Sequence, residues 1–272
     1  MTNKNGINLH FAHANGFPAA SYKQVFNAFP EHFNVAALSQ FGHDATFPVN
    51  SNLSNLVDEL LAYLRTKSIG PVYGIGHSMG ALVTYMAACE APELFKGVIM
   101  LDPPIASGVA RLVFKMAKMT PMIDKITPAG KAAVRCQSWP IDEDLVAYFS
   151  SKALFKDFVP ACIEDYVDAA IKVDGQRKVL TFKASVEAQI FRNVSHNIHR
   201  YYGKMQRPSC LITAELSQVC VPRNINHFLK RTQIEHIRVP NVGHMFPFEA
   251  PVDVATLITQ KIDQWEAIKK AD

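Results

Sequence analysis

The pentapeptide Gly76-His77-Ser78-Met79-Gly80 constrains the fold of this chain more than any other stretch. It follows a short apolar run at 71–75 and precedes an Ala-rich run of helical character at 81–91. A serine between two glycines at a strand-to-helix junction is typical of a sharp turn that lifts the hydroxyl above a sheet. The glycines let the strand and the helix pass close together, because neither carries a side chain. The sequence therefore predicts strand, turn and helix, with Ser78 as a candidate nucleophile; the alternative is an ordinary tight turn.

Apolar runs and amphipathic patterns alternate along much of the chain. The strand candidates are residues 7–12, 33–38, 72–75, 97–101, 210–213 and 234–239. The leucines and valine of 53–64 recur on one helical face, and a closing helix follows Pro251. This alternation predicts an α/β architecture, a mostly parallel sheet flanked by helices.

The alternation stops after Asp102. Residues 105–206 show helical and loop character without strand periodicity, and they are rich in Met, Phe and Ala. A structureless connection of that length would be unusual. We therefore predict a helical cap subdomain at 105–206, inserted into a core domain formed by 1–104 and 207–272. Its Met and Phe side chains are interpreted as cap core, some of them lining an acyl pocket.

Composition argues against several functional classes. The formal net charge is only +4 and is dispersed, which does not favour nucleic-acid binding. The N-terminal residues are polar, and no stretch approaches the roughly 18 consecutive apolar residues of a membrane span. The five cysteines are scattered without a Cys-x-x-Cys pair, typical of buried free thiols in a reducing compartment. We expect a cytoplasmic protein without a membrane span; its oligomeric state stays open.

A nucleophilic serine requires a base and a site for the developing oxyanion. His244 is the best-placed base, because it lies after the last strand candidate on a Gly- and Pro-bounded loop, and catalytic residues gather at such strand ends. The backbone N–H of Met79 is one candidate oxyanion donor. The second is expected in the loop after the first strand, where Asn15 is our first choice and Ala14 and Phe17 are alternatives.

Four motifs, in this order along the chain, resemble the α/β-hydrolase superfamily and specifically its capped, lipase- and esterase-like members. They are His13-Ala14-Asn15-Gly16, Gly76-His77-Ser78-Met79-Gly80, Leu101-Asp102-Pro103-Pro104, and Gly243-His244 followed by Glu249-x-Pro251. The resemblance covers nearly the whole chain. It implies Ser78 as nucleophile, His244 as base, and Met79 with the loop from His13 to Phe17 as the oxyanion hole. His13 and Phe17 are the candidate substrate contacts in that loop.

The chain departs from the family pattern in two places. The family usually has two strands before the His13 loop, whereas only a few residues precede Ile7 here, so we expect a sheet of about six strands. The family's usual catalytic aspartate follows the strand at 210–213, where this chain has Ser217. Asp102 is our first choice for the acid, as in a subset of haloalkane dehalogenases, and Glu215 is the alternative. A purely structural role for Asp102 in the following turn also stays open.

A small basic cluster lies in the predicted cap and contains Arg192, His196, His199 and Arg200. Such a cluster can hold a substrate carboxylate or phosphate, but a solvated helix face is the favoured interpretation. A metal site is disfavoured, because no acidic or cysteine partner is nearby in the sequence.

The sequence thus predicts a cofactor-free serine hydrolase that contains no metal and cleaves carboxylic esters of small or medium apolar acyl groups through an acyl-enzyme. Acyl thioesters are the neighbouring alternative, because His13-Ala14-Asn15-Gly16 is similar to the corresponding loop of type II thioesterases. A different class is a non-catalytic protein that keeps the fold and binds a hydrophobic small molecule. Dehalogenases and epoxide hydrolases are disfavoured, because they use aspartate where this chain has Ser78.

Overall fold

Strands and helices alternate along the first hundred residues of the computed structural model, which describes residues 6–67 and 70–271. The strands are β1 Ile7–Ala12, β2 Phe33–Ala36, β3 Val72–His77 and β4 Phe95–Leu101. The helices are α1 Lys23–Asn27, α2 Ser54–Lys67 and α3 Met79–Glu90. Short 3₁₀ helices cover Ala19–Tyr22, Ser51–Leu53 and Pro92–Leu94.

The segment from 105 to 206, which we call the insertion, leaves the sheet after β4. Its helices are α4 Gly108–Ala117, α5 Ile123–Ile126, α6 Ala129–Ala133, α7 Leu145–Ser150, α8 Pro160–Ala170 and α9 Ala184–Asn193, with 3₁₀ turns at Ala153–Phe155 and Ile198–Tyr201. It also contains β5 Ser138–Pro140, β6 Ile171–Asp174 and β7 Arg177–Leu180, which form an antiparallel sheet in the order β5-β7-β6. These strands were not predicted from the sequence, because each is only three or four residues long. Ile171 to Asp174 does alternate apolar and polar residues, and the following Asp174-Gly175 is a hairpin signal that was missed.

The last part of the chain returns to strand and helix. It comprises β8 Ser209–Ala214, α10 Pro222–Thr232, β9 Glu235–Val239, α11 Phe246–Glu249 and α12 Pro251–Ala271. None of the helices in the described part of the chain has both the length and the apolar composition needed to cross a bilayer.

Within the described residues the main sheet has six strands, all parallel, in the order β2-β1-β3-β4-β8-β9. This confirms the predicted α/β class and the number of strands. The chain moves outward from β1 to β2 and then crosses back to β3 on the other side of β1. Ligands of open parallel sheets bind at such a reversal, outside the carboxyl ends of the strands. Both the loop after β1 and the pentapeptide after β3 lie at this reversal.

Helix α3 is buried along nearly its whole length, from Met79 to Ala88. Its residues are apolar or small all round, which is typical of a helix covered on every side. Because the helix has no solvent-facing side, the turn that precedes it is held by packing on both sides.

The packing of two sets of side chains differs from prediction. In the insertion, Phe149, Phe155 and Phe158 are buried as expected, but Met116, Met119 and Met122 are 62%, 74% and 56% exposed. The assignment of those methionines to a cap core is therefore wrong.

The prediction of buried free thiols holds for three of the five cysteines. Residues 162, 210 and 220 are buried, whereas Cys89 is half-buried and Cys136 is exposed.

Candidate active site

Ser78 lies on a strained turn between β3 and α3. Its backbone has φ 55° and ψ −118°, a region that costs a non-glycine residue about 1–3 kcal/mol. The turn is fixed by the Ser78 N–H, which donates to the Leu101 carbonyl at 2.8 Å, and by the Ser78 carbonyl, which accepts from the Ala81 N–H at 3.1 Å. The hydroxyl is thereby lifted out of the sheet.

The two glycines of the pentapeptide are required by close backbone contacts. A Cβ on Gly76 would lie 2.3 Å from the Gly80 carbonyl oxygen, and a Cβ on Gly80 would lie 2.2 Å from the Ala12 carbonyl oxygen. The second contact presses the start of α3 against the end of β1. It therefore places the loop that follows β1 beside Ser78.

Ser78, His244 and Asp102 are joined by a continuous chain of hydrogen bonds. The Ser78 Oγ lies 3.1 Å from His244 Nε2, and His244 Nδ1 lies 2.6 Å from Asp102 Oδ2. The Asp102 side chain is fully buried and the His244 side chain is 22% exposed. A carboxylate on Nδ1 leaves the unprotonated Nε2 facing the hydroxyl, so the arrangement can remove a proton from Ser78.

Asp102 ends β4 in a left-handed conformation, with φ 45°. Burial alone would raise the pKa of its carboxyl, but hydrogen bonds from His244, Ser217 and the Ala214 N–H more than offset this and hold the pKa below its usual value. The carboxylate is thus charged and fully bonded. Ser217, at the family's usual acid position, donates its hydroxyl to Asp102 Oδ2.

Glu215, the alternative acid, lies at the protein surface away from His244. Its Oε1 is 3.4 Å from Arg238 Nη2, and its Oε2 accepts from the Asn241 N–H at 3.1 Å. Its contacts brace the turn that follows β9.

The loop that carries His244 is fixed by a carboxylate. The Gly243 N–H donates to Glu249 Oε2 at 2.7 Å, and a Cβ at this glycine would lie 2.9 Å from Glu249 Oε1. This contact explains why the sequence pairs Gly243-His244 with Glu249: the acid closes the loop that presents the imidazole.

The loop after β1 leaves one of its candidate oxyanion donors free. The Ala14 N–H donates to the Tyr22 hydroxyl at 3.0 Å, and the Phe17 N–H donates to the Ala14 carbonyl at 3.1 Å. Among the described residues, the backbone N–H groups of Asn15 and Met79 have no hydrogen-bond acceptor. The Asn15 side chain is turned away, because its Nδ2 donates to the Glu187 carbonyl at 2.9 Å.

His13 and Phe17, the candidate substrate contacts, are both buried and in contact with the protein. His13 Nδ1 donates to the Ala14 carbonyl at 2.8 Å and its Nε2 accepts from the Phe41 N–H at 3.1 Å. Phe17 packs in an aromatic cluster, with Tyr166 and Phe248 at ring-centroid distances of 5.0 and 5.1 Å. Both side chains also line a narrow crevice beside the loop.

A second hydrogen-bond chain, which the sequence analysis missed, joins three parts of the site. Tyr22 accepts from the Ala14 N–H, so its own proton is directed to His77 Nδ1 at 2.7 Å. His77 Nε2 then donates to the His244 carbonyl at 2.9 Å. Burial, followed by the nearby His244, lowers the pKa of His77 to about 3, so the ring is neutral. The chain ties the loop after β1 to the loop that carries His244.

One signal in the sequence points to the hydrogen bonds of His77. A histidine at the end of an otherwise apolar buried strand needs partners for both ring nitrogens. The sequence does not specify Tyr22, because the partner lies 55 residues away and is brought to His77 by the fold.

The basic cluster predicted in the insertion is divided between different partners. Arg192 forms two hydrogen bonds of 2.7 Å with Asp124, and His199 Nε2 accepts from Arg111 at 3.1 Å. His196 is only 8% exposed, so the interpretation of a solvated face is wrong for this residue. Within the described part of the chain, no group of three or more His, Cys, Asp or Glu residues is arranged to hold a metal ion.

Comparisons with known proteins show which proteins this chain is similar to. The "monoglyceride lipase homolog" of Monkeypox virus is 28% identical over 138 residues, which is 46% of this chain and 50% of the viral protein. The match therefore spans only half of that relative's length. The "N-formylmaleamate deformylase" of Pseudomonas putida is 23% identical over 241 residues, 86% of this chain and 78% of the relative.

Solved structures share the fold along nearly the whole chain. The crystal structure of E-2-(acetamidomethylene)succinate hydrolase superposes with a TM-score of 0.76 at 18% identity, covering 95% of this chain and 91% of that one. The thioesterase domain from the curacin biosynthetic pathway gives a TM-score of 0.74 at 14% identity, covering 96% and 93%. The model of the alpha/beta hydrolase family matches residues 11–257. The chain therefore belongs to the alpha/beta hydrolase family.

Proposed function

We propose that the protein is a serine hydrolase that cleaves carboxylic esters of small or medium apolar acyl groups through an acyl-enzyme. The observation that carries the proposal is the continuous hydrogen-bond chain from Asp102 through His244 to Ser78, on a strained turn. Strain of this kind persists only where the surrounding structure holds it, and it clusters at functional sites.

The proposed reaction has two halves of the same form. His244 Nε2 takes the proton of Ser78 as Oγ attacks the ester carbonyl, and the Met79 and Asn15 N–H groups bind the oxyanion. The tetrahedral intermediate collapses, the C–O bond to the alcohol breaks, and His244 returns the proton to the leaving oxygen. Water then takes the place of the alcohol and gives up a proton to His244 Nε2 as its oxygen attacks the acyl carbonyl. The bond between the carbonyl carbon and Ser78 Oγ breaks, His244 returns the proton to Ser78 Oγ, and the carboxylic acid leaves. In both halves Asp102 stabilises the charged imidazole.

The insertion is proposed to act as a cap over this site. It contacts loops at the carboxyl edge of the main sheet: Gln40 Nε2 donates to Thr181 Oγ1 at 3.0 Å, and His43 Nε2 accepts from the Lys183 N–H at 3.0 Å. With the bond from Asn15 to Glu187, these contacts support a cap that closes the site from the side of the loop after β1.

The proposed preference for an apolar substrate rests on the paired charges of Arg135 and Glu187 beside the loop after β1. Arg135 is the cation near Gly16, and its Nη1 lies 2.9 and 2.8 Å from the two oxygens of Glu187. Because its charge is already balanced, it is not available to bind a substrate carboxylate, and the neighbouring wall is the aromatic cluster around Phe17.

Hydrolysis of small N-acyl amides is the second candidate function. It is favoured by relatives whose names describe such substrates, the deformylase of Pseudomonas putida and an N-methylformamido succinate hydrolase of Acinetobacter baylyi. The same nucleophile and base serve both reactions. The paired state of Arg135 favours the ester, because the substrates in those names carry carboxylates.

A fluorophosphonate probe tests the nucleophile directly. We expect the probe to label the wild-type protein and to label Ser78→Ala not at all, because among the described serines Ser78 is the one whose hydroxyl is bonded to a histidine ring. Ser150→Ala is the matched control, since that exposed hydroxyl contacts only the Val146 carbonyl. Folded wild-type protein that takes up no probe would overturn the proposal and favour a binder of hydrophobic small molecules.

A substrate panel separates the candidate reactions. It contains p-nitrophenyl esters and acyl-CoA thioesters of graded chain length, with N-formyl and N-acetyl amides beside them. We expect the highest kcat/KM among the esters. An amide or thioester that is turned over faster than every ester would replace the proposed substrate class while keeping the serine mechanism.

Tyr22→Phe tests the second hydrogen-bond chain. Removing the hydroxyl leaves the Ala14 N–H and His77 Nδ1 unpaired, so we expect about 1–3 kcal/mol lower stability and a labelling rate at Ser78 about tenfold lower. The measurement is the second-order rate of fluorophosphonate labelling, well below the melting temperature. Tyr63→Phe is the control, because its hydroxyl donates to the Ala37 carbonyl. Equal labelling rates in the two variants would show that Tyr22 supports stability alone.

A further inference from the structure

Helix α4 turns its apolar side chains to solvent. Val109, Leu112, Val113 and Met116 recur at helical spacing and are 63%, 52%, 58% and 62% exposed. Surface helices normally bury the apolar face and expose the polar one. On α4 the arrangement is reversed, so its outer face requires an explanation beyond packing within the chain.

The exposed apolar surface continues past the end of α4. Met119 and Met122 follow it and are 74% and 56% exposed. These six side chains, Val109, Leu112, Val113, Met116, Met119 and Met122, form what we call the α4 surface. Monomeric proteins rarely expose large contiguous apolar patches, and such patches mark sites of contact with partners or membranes.

Positive charge accompanies the α4 surface. Residues 105–131 contain Arg111, Lys115, Lys118, Lys125 and Lys131, with Asp124 as the single acidic residue. Asp124 is already paired with Arg192 through two hydrogen bonds of 2.7 Å. Among the described residues, no carboxylate forms an ion pair with any of the five basic side chains. The segment therefore presents a net positive field around an apolar face.

We propose that the α4 surface docks onto an anionic lipid bilayer. Interfacial helices bury an apolar face of about 5–10 Å depth at the boundary of headgroups and acyl chains, while basic side chains contact the anionic headgroups. Lys115, Lys125 and Lys131 are exposed and can meet the headgroups directly. Arg111 is bonded to His199 and Lys118 Nζ is buried, so the three exposed lysines are the residues proposed to meet the headgroups.

The charge selects a lipid surface over a second copy of the chain. Two α4 surfaces brought face to face would bring two sets of exposed lysines together, Lys115, Lys125 and Lys131 from each copy, and like charges in contact oppose association. An anionic membrane satisfies both properties of the surface at once, because each basic residue near it contributes binding and the acyl region receives the apolar side chains.

Vesicle co-sedimentation tests the proposal with the purified full chain. We expect binding to vesicles of phosphatidylcholine with about 30% phosphatidylglycerol to be at least about tenfold stronger than binding to phosphatidylcholine alone, and to weaken as salt rises. Equal binding to both vesicles, or no binding to either, would overturn the proposal.

Two variants and a matched control assign the binding to the α4 surface. Leu112→Ser/Met116→Ser should weaken vesicle binding at least about tenfold by removing apolar contact, and Lys115→Gln/Lys125→Gln should weaken it by a similar factor. Val173→Ser is the control, because Val173 is 65% exposed on β6, outside the α4 surface, and this variant should bind as the wild type does. If the first variant does not fold, the second alone decides. Loss of binding in Val173→Ser, or retention in the lysine variant, contradicts the proposal.

Sedimentation velocity without lipid tests whether the α4 surface binds a second copy of the chain instead. We expect one monomeric species over a hundredfold concentration range. Self-association that Leu112→Ser/Met116→Ser abolishes would assign the α4 surface to a second copy of this chain. Fluorophosphonate labelling is independent of all these measurements, so failure of the docking proposal and failure of the proposed hydrolase are distinguishable.

Discussion

Asp102→Asn should lower kcat for ester hydrolysis about 10⁴-fold. The carboxylate accepts from His244 Nδ1 at 2.6 Å and from the Ser217 hydroxyl and the Ala214 N–H. An asparagine keeps this shape but offers one acceptor oxygen and an NH₂ group, so the imidazole is no longer held in the form that accepts the Ser78 proton. It also removes the negative charge that stabilises the imidazolium. KM should change little, because Asp102 is fully buried and does not contact substrate.

Glu215→Gln is the matched control for Asp102→Asn. It makes the same chemical change at the other candidate acid, whose carboxylate contacts Arg238 and the Asn241 N–H at the surface. We expect its kcat to stay within about twofold of wild type, because an exposed pair contributes little. Both variants are compared on the best ester of the panel. An Asp102→Asn enzyme that keeps more than a tenth of its kcat, or a large loss in Glu215→Gln, would assign the acid elsewhere.

Gly80→Ala should prevent the chain from reaching its folded state, or lower its melting temperature by at least about 10 °C. The added methyl group would lie 2.2 Å from the Ala12 carbonyl oxygen and 2.6 Å from the His13 carbonyl oxygen. Both contacts are with backbone, so no side-chain rotation relieves them. The start of α3 would have to move away from β1, which separates the loop after β1 from the turn that carries Ser78. Yield of soluble protein and thermal unfolding monitored by circular dichroism are the measurements.

Gly175→Ala provides the comparison for this steric effect. Gly175 joins β6 to β7 with φ +57°, and a Cβ there would meet nothing within 4 Å. The substitution therefore costs only the left-handed backbone conformation, about 1 kcal/mol. A Gly80→Ala protein as stable as Gly175→Ala would show that the end of β1 and the start of α3 separate easily. We do not expect this result, because α3 is buried along nearly its whole length.

The main sheet was predictable because its strands are buried. β3 and β4 carry nearly uninterrupted apolar runs, as parallel strands covered on both faces do. The strands of the insertion were missed, because β6 and β7 are only four residues long. Asp174-Gly175 between them is a local hairpin signal, whereas the pairing of β5 with β7 joins residues about 40 positions apart and has no local signal.

The outer face of α4 shows a related limit. The sequence pattern shows that the apolar residues share one face of the helix, but it contains no information about which face meets the rest of the protein. Met116 and Met119 were therefore placed in a core that they do not enter.

The candidate site was predictable to different degrees for each residue. Ser78 and His244 are marked by local motifs with a specific place in the fold. The choice between two acids stayed open, because β4 and β8 pair side by side and both strands end at the same edge of the sheet. Tyr22 and His77 were missed as a pair, because their contact exists only when the Ala19–Tyr22 turn packs against the end of β3.

The bond between Ser217 and Asp102 has a consequence for how such sites diverge. These positions are 115 residues apart in the chain, yet their side-chain oxygens lie one hydrogen bond apart beside the same imidazole. Because Ser217 Oγ and His244 Nδ1 both contact Asp102 Oδ2, a carboxylate at either position would lie close to His244 Nδ1. The location of the acid along the chain is therefore free to change by exchange between neighbouring strand ends, while its location in space is fixed by the histidine that it supports.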